Sequence, residues 1–440
     1  MTSDWHEVEL GDLIDVRHGF AFKGEHFVDE AKPHQLVTPG NFAIGGGFQV
    51  GKPKYYAGPV PSDYVLHPGD LVVTMTDLSR GADTLGYSAV VPKTRVTTWL
   101  HNQRIGLVRV KEPELLAPEF LHFLMRTDQY RHWVVSSASG STVKHTSPGR
   151  ICSYRFRLPP THVQRAIGGS LTSLEDRIAL LRETNATLES IAQALFKSWF
   201  VDFDPVRAKR QGLAPAGMDE STAALFPDGF AQSAVGPIPA GWRSGTLADF
   251  AELNSRSWSA RNRPERIRYL DLANVRDNEV ADIKELAFDE APSRARRVLR
   301  DGDTIVGTVR PGNRSFAFIH EPPAGLTGST GFAVLSSRSP ESAAFIYLAA
   351  TQDASIEHLA HIADGGAYPA VRPEAVSALA CVVPPSELLR AFAAVARPLL
   401  QKVAVNLGQA QTLSTLRDTL LPRLISGQLR LPEAESALAA

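Results

Sequence analysis

The stretch ASGSTVKHTSPGRICSYRFRLPP (138–160) returns 225 residues later, without a gap, as ADGGAYPAVRPEAVSALACVVPP (363–385). Ala138 falls on Ala363, Gly140 on Gly365 and Pro148 on Pro373, and both stretches close on Pro-Pro. The same shift carries LESIAQALFKSWF (188–200) onto LSTLRDTLLPRLI (413–425), setting Leu188, Ile191 and Leu195 against Leu413, Leu416 and Leu420. Upstream, PGDLVVTMT (68–76) matches DGDTIVGTV (301–309), and LVTPGNF (36–42) matches YLDLANV (269–275), at a slightly larger shift. Landmarks in constant order, with length changes confined between them, mark an internal repeat. The chain therefore reads as two tandem units, each a variable β-rich domain followed by a long helix.

Short β-like runs bounded by Gly, Pro and Asp, such as DLVVTMT, RIGLVRV, DTIVGTV and GFAVLSS, alternate with helical patterns such as PEFLHFLMRT and SAAFIYLAAT. This predicts an α+β fold with a mixed sheet in each domain. After Pro160 the apolar period changes. Ile167, Leu171, Leu174, Ile178, Leu181, Asn185, Leu188, Ala192, Leu195 and Trp199 step by four and three, a sustained heptad seam. Phe392, Ala396, Leu399, Val403, Asn406, Ala410 and Leu413 repeat it more loosely. Two such helices in one chain are expected to pack antiparallel, with one Asn in each seam to fix register. The second ends at LISGQLRLP, where Gly427 suits a left-handed cap. The predicted division is a first domain at 1–160, a helix at 161–203, a Gly/Ala/Ser/Pro-rich linker at 204–240, a second domain at 241–385, a second helix at 386–429 and a tail at 430–440.

A hydrophobic share of 43% with 21% charged residues fits a water-soluble globular chain. No apolar run approaches the roughly 20 residues that span a bilayer, and MTSDWHEVEL lacks the features of a secretory signal. The expected compartment is the cytoplasm, with no membrane partner. Cys152 and Cys381 are too few for a disulfide framework or a thiolate site and do not occupy equivalent positions. The net charge of −1 leaves nucleic-acid binding open, because phosphate contact needs locally basic surface rather than a basic total. Arginine is dense in SRARRVLR (293–300) and GTVRPGNRS (307–315).

Catalytic signatures are incomplete. GGFQVGKP (46–53) approaches a phosphate-binding loop, but Pro53 stands where a magnesium-binding Ser or Thr belongs. Asp204-Pro205-Val206 is not a methyltransferase loop. His358 and His361 lack a third ligand, and Asp202 and Asp204 fit turn and capping roles. The chain reads as non-catalytic, with no metal site.

LESIAQALFKSWFVDFDPVRAK (188–209) and LRDTLLPRLISGQL (416–429) resemble the central and distal regions of type I restriction-modification specificity subunits. IPAGWRSGTLADF (238–250), its counterpart DWHEVELGDLIDV (4–16), GDTIVGTVRPGNRSFAFI (302–319) and GLTGSTGFAVL (325–335) resemble stretches of target-recognition domains in that family. The resemblance covers nearly the whole chain. It implies two target-recognition domains that each read half of a split site in double-stranded DNA. It also implies spacer helices that hold the domains apart and dock modification subunits, two in number, of a DNA adenine methyltransferase. Restriction subunits, driven by ATP and translocating DNA, are the further partners implied. This chain is expected to hold no cofactor: S-adenosylmethionine belongs to the modification subunit, and ATP and Mg to a restriction subunit.

Base and phosphate contacts are expected from polar, Gly-flanked loops at repeat-equivalent places. These are Ser141, Thr142, Lys144 and His145, with Arg80 and Lys23, in unit one, and Arg310, Asn313, Arg314, Tyr368 and Arg372 in unit two. Leu195, Phe196, Trp199, Phe200, Leu420, Leu421 and Leu424 are the expected docking residues. The competing readings are a diverged methyltransferase or nuclease with its own active site, and an assembly scaffold that never touches DNA.

Overall fold

A computed structural model describes residues 5–79, 81–141, 143–233, 236–259 and 261–431. Arg80 and Thr142, two of the expected DNA contacts, lie outside the described residues. The chain divides into two compact units, Met1–Ile178 with Gln411–Ala440, and Ala179–Ala410. Both mix helices and strands.

In the first unit, runs such as Leu71–Thr74 and Ile105–Val110 are buried on both faces and form central strands. The antiparallel order is Ile14–His18, Ile105–Val110, Leu71–Thr74, Ser88–Val90. A second sheet contains Tyr55–Tyr56, His34–Val37 and Thr98–His101, the last two parallel. His6–Glu9 pairs with Arg155–Leu158, closing the domain on itself.

The second unit repeats this topology. Ala251–Leu253, Phe332–Ser337, Thr304–Gly307 and Phe316–Phe318 form the same antiparallel order. Lys284–Ala287, Arg266–Leu270 and Leu326–Ser329 follow, again with the last pair parallel. Arg243–Thr246 pairs with Ala380–Val383 as the closing ladder. The repeat seen in scattered sequence landmarks is thus a repeat of strand order, down to the one parallel pair.

The long helices Thr161–Phe200 and Ser386–Ile425 have 40 residues each, about 60 Å at 1.5 Å per residue. In the second unit, Phe196, Trp199 and Phe200 pack on Phe392, while Asn185 meets Asn406. Rising numbers face falling ones, so the two segments run antiparallel. In the first unit, Ile167 and Leu171 share a core with Leu421, Leu424 and Ile425, and Glu175 pairs with Arg417 at 3.2 Å. The seam residues Ile167, Leu171, Ile178, Leu181, Ala192, Val403 and Ala410 are all buried. Gly427, at φ 72°, ends the second helix in the left-handed region as its position requires.

Glu175 also anchors a polar network inside the first unit. Its carboxylate accepts from Arg126 at 2.5 Å and lies 3.7 Å from His122 Nε2. Burial pulls its pKa upward, but hydrogen bonding from His122 and the charge of Arg126 outweigh that and hold it at about 2. Arg126 Nε in turn donates to the Gly45 carbonyl at 2.8 Å, tying a glycine turn to the helix network.

Two expectations are corrected. The stretch 204–240, read as a linker from its small residues, is folded. It forms helices Asp204–Arg210 and Glu220–Ala224 and a hairpin of Phe230–Ser233 with Gly236–Pro239. Val206, Phe226 and Ile238 enter the core of the second unit. The docking residues Phe196, Trp199 and Phe200 are only 2–4% exposed. They are consumed by Phe345, Phe392, Phe226 and Trp242 of the same unit. Leu195 is half-buried against that core. Leu421 and Leu424 are buried, and Leu420 half-buried, in the core of the first unit. These apolar side chains read as a docking surface because their intramolecular partners lie far away in sequence.

Candidate nucleic-acid interface

In the second unit the strand Thr304–Gly307 runs out of its sheet into a loop that a second loop clamps. Val371 N–H donates to the Thr308 carbonyl at 2.9 Å and Arg310 N–H to the Pro369 carbonyl at 2.7 Å. Val309 bridges Ala370, and Ala370 bridges Asp364. The loops 308–314 and 364–372, fifty residues apart in sequence, therefore form one surface carrying Arg310, Asn313, Arg314, Tyr368 and Arg372.

Between Arg310 and Arg314 lies a 3-10 turn, Pro311–Asn313, opened by the fixed φ of its proline. Both arginines are left-handed, at φ 49° and 59°. Beneath them Asp277 and Asn278 are left-handed too, and Asp277 N–H donates to the Arg314 carbonyl at 2.8 Å. The Arg314 guanidinium pairs with Asp277 and, at 2.7 Å, with Asp353. Burial works against its charge, but the two carboxylates outweigh burial and raise its pKa. Asn278 donates from Nδ2 to Glu189 of the long helix at 2.5 Å and accepts from Phe318 N–H at 2.9 Å. Arg310 Nη2 donates to the Ala367 carbonyl at 2.7 Å, and the guanidinium lies 4.6 Å from the Tyr368 ring centroid. Tyr368 is 71% exposed, and Asn313 and Arg372 are exposed as well.

The first unit builds the same frame with other side chains. Thr76–Asp77 pairs with Lys144–His145, and Ser139 bridges His145. Asp77, in the place of Arg310, turns inward. Its carboxylate accepts from the Ser79 and Thr84 amides at 2.6 and 2.5 Å and from the Thr84 hydroxyl at 2.7 Å. Burial raises its pKa, but these donors outweigh it and lower the pKa below the ordinary value. His145 Nδ1 lies 3.1 Å from the Thr76 hydroxyl. His145 and Ser141 are exposed and Lys144 half-buried. Lys23 stands apart from this pair of loops, exposed before the 3-10 turn Gly24–His26 and 3.9 Å from Glu25.

Asp77, Asp277, Asn278, Asp353 and Glu189 went unpicked in the sequence. The Asp-Asn pair at 277–278 carried a signal, since these residues tolerate the left-handed region. The others showed none, because their partners are remote. Among the described residues no group of three or more His, Cys, Asp or Glu is arranged to hold a metal, and no helix is long and apolar enough to cross a membrane. Gly46 and Gly47 sit in a positive-φ turn, and the chain past Pro53 enters the strand Tyr55–Tyr56 rather than a helix.

Residues 2–190 match the type I restriction modification DNA specificity domain. In that part the chain is similar to the type I restriction-modification DNA specificity family. Specificity subunits of this family are non-catalytic DNA-recognition components. The chain is 27% identical over 376 residues to the type I restriction enzyme HindI specificity subunit of Haemophilus influenzae, covering 72% of this chain and 78% of that one. It is 24% identical over 358 residues to the MjaIX specificity subunit of Methanocaldococcus jannaschii, covering 79% and 76%. Its fold resembles the crystal structure of a type I restriction-modification S subunit from M. genitalium, with a TM-score of 0.57 at 15% identity over 96% of both chains.

Proposed function

We propose that each unit reads one half of a bipartite double-stranded DNA site through its clamped loops, and that the two long helices act as antiparallel coiled-coil spacers between the target-recognition domains. The observation that carries this reading is the repetition of one bridge-closed loop frame bearing different side chains. Thr76 with His145 in one unit corresponds to Val309 with Ala370 in the other. A common frame with exchanged chemistry is what two independent readers of different sequences require, since base edges are distinguished by the side chains that reach them. Modification subunits, two by the symmetry of the repeat, dock on the helical region and supply S-adenosylmethionine for adenine methylation. A restriction subunit, where one joins, brings ATP and Mg. Phe196, Trp199 and Phe200 support both helices from within and take no part in that docking.

The test is exchange of residues 241–385 for the matching domain of a relative, followed by methylome sequencing of a host that also carries the modification subunit. One half of the methylated sequence should change and the other persist. A change in both halves, or in neither, overturns the reading.

A further inference from the structure

The two arginines of the second unit's loop are held in opposite electrostatic states, and the difference assigns them different work. This step rests on the DNA-reading role proposed above. Arg314 is already neutralised: Asp277 and Asp353 both pair with it. A DNA phosphate would have to displace two carboxylates to use it. Arg310 has no carboxylate partner among the described residues. Its guanidinium lies over the exposed Tyr368 ring, 4.6 Å from the centroid, and one donor is spent on the Ala367 carbonyl. An arginine fork fixed by stacking and one backbone bond keeps its other donors for a planar, two-acceptor partner. Guanine presents such a partner in the major groove, through O6 and N7.

Backbone strain marks the same place. Of the eight left-handed non-glycine residues among the described ones, four are Asp277, Asn278, Arg310 and Arg314. Such conformations persist where the surroundings impose them, and they gather at functional sites. Here the imposing contacts are the Arg314 ion pairs and the bond from Asn278 to Glu189. We propose that Arg310, stacked on Tyr368, is the guanine-reading residue of the second unit, and that Arg314 is a positioning residue that shapes the loop without touching DNA.

The experiment selects bound sequences from a pool of random duplexes with the full chain, then measures affinity for the selected duplex over a salt series. The wild-type chain should select a motif with guanine at a fixed place in one half. Arg310→Ala should lose that guanine and keep the other positions, with affinity for the selected duplex falling about 10- to 100-fold, and Arg310→Lys should keep a weaker preference for it. Lysine keeps donors for O6 and N7 but not the planar fork, so a guanine preference preserved in Arg310→Ala, which has neither, would overturn the base-reading role. Arg314→Ala, by loosening the loop that carries Arg310, should blunt the guanine preference with an unchanged salt slope. A slope shallower by about one would make Arg314 a phosphate contact and overturn its assignment. Asp353→Asn, a change at an exposed side chain, separates the two cases again. A positioning Arg314 predicts weaker binding, whereas a phosphate-binding Arg314 freed from its competitor predicts tighter binding and a steeper slope. If the wild-type chain selects no sequence at all, the DNA-reading role itself falls, and this inference with it.

Discussion

Asn406 donates from Nδ2 to Asn185 Oδ1 at 2.8 Å inside the helical seam of the second unit. Asn185 Nδ2 in turn donates to the Val403 carbonyl at 3.3 Å. Both side chains are buried, so Asn406 Nδ2 and Asn185 Oδ1 depend on each other. Asn185→Leu or Asn406→Leu alone should destabilise the second unit by about 1–3 kcal/mol, because a buried polar atom of the surviving amide loses its partner. The double Leu variant should recover much of that loss, since an apolar pair of similar shape replaces the polar one. A double-mutant cycle in denaturant checks this. Additive losses would show that the two amides do not act together.

Trp199→Ala and Phe200→Ala should act as core truncations, each costing about 3–5 kcal/mol. Their rings touch Phe392, Phe226, Trp242 and Phe345 within the same unit. Co-purification with a modification subunit should fall only in step with the folded fraction. Lost assembly by a variant whose unfolding midpoint is unchanged would return these residues to a docking surface.

How far the sequence could be read depended on the distance between interacting partners. The 225-residue repeat places Ser139 and His145 opposite Asp364 and Ala370, and the same bridges are found there. The apolar seam announced the buried faces of both helices, because helical periodicity is a local property. The surroundings of Trp199 and Arg314 were hidden for the complementary reason. Their partners, Phe392 for one and Asp277 and Asp353 for the other, are supplied by distant segments. Nothing local distinguishes an aromatic awaiting another protein from one awaiting its own chain. The stretch 204–240 was hidden by its small residues, although it holds Val206, Phe226 and Ile238, which enter the core of the second unit.

Glu175 should make the first unit acid-sensitive in a defined window. Its folded pKa of about 2 lies below the ordinary 4.5. On acidification the unfolded carboxylate binds its proton first, so the stabilisation is full above about pH 4.5 and is lost as pH falls toward 2. The contribution is on the order of 3 kcal/mol. Burial lowers the His122 pKa below 6.5, so protonation of the unfolded imidazole adds a loss of the same sign beginning near that pH. In the second unit burial raises the Glu189 pKa, so its contribution weakens as pH rises through and above 4.5. Hydrogen exchange followed peptide by peptide should show Glu175→Gln flattening the acid limb of the first unit alone. An acid limb unchanged in that variant would assign the sensitivity to other groups.

Spacer length should respond to helix length only when both helices are extended. Asn185 faces Asn406 in antiparallel register, so four residues inserted after Thr184 alone would push one seam out of step with the other. A matched pair of insertions, after Thr184 and after Asn406, keeps the asparagines opposed and lengthens each helix by about 6 Å. Four residues turn a helix by about 400°, leaving the far segment rotated by roughly 40°, a stutter that packed helices absorb by local unwinding. At about 3.4 Å per base pair, the added length corresponds to one or two pairs. Methylome sequencing should therefore find the same two half-sites with the spacer longer by one or two pairs. The single insertion should instead lose methylation together with protection of the seam from hydrogen exchange. A methylating double-insertion variant that keeps the original spacer would remove the helices from the role of ruler, leaving the recognition domains to set the spacing by themselves.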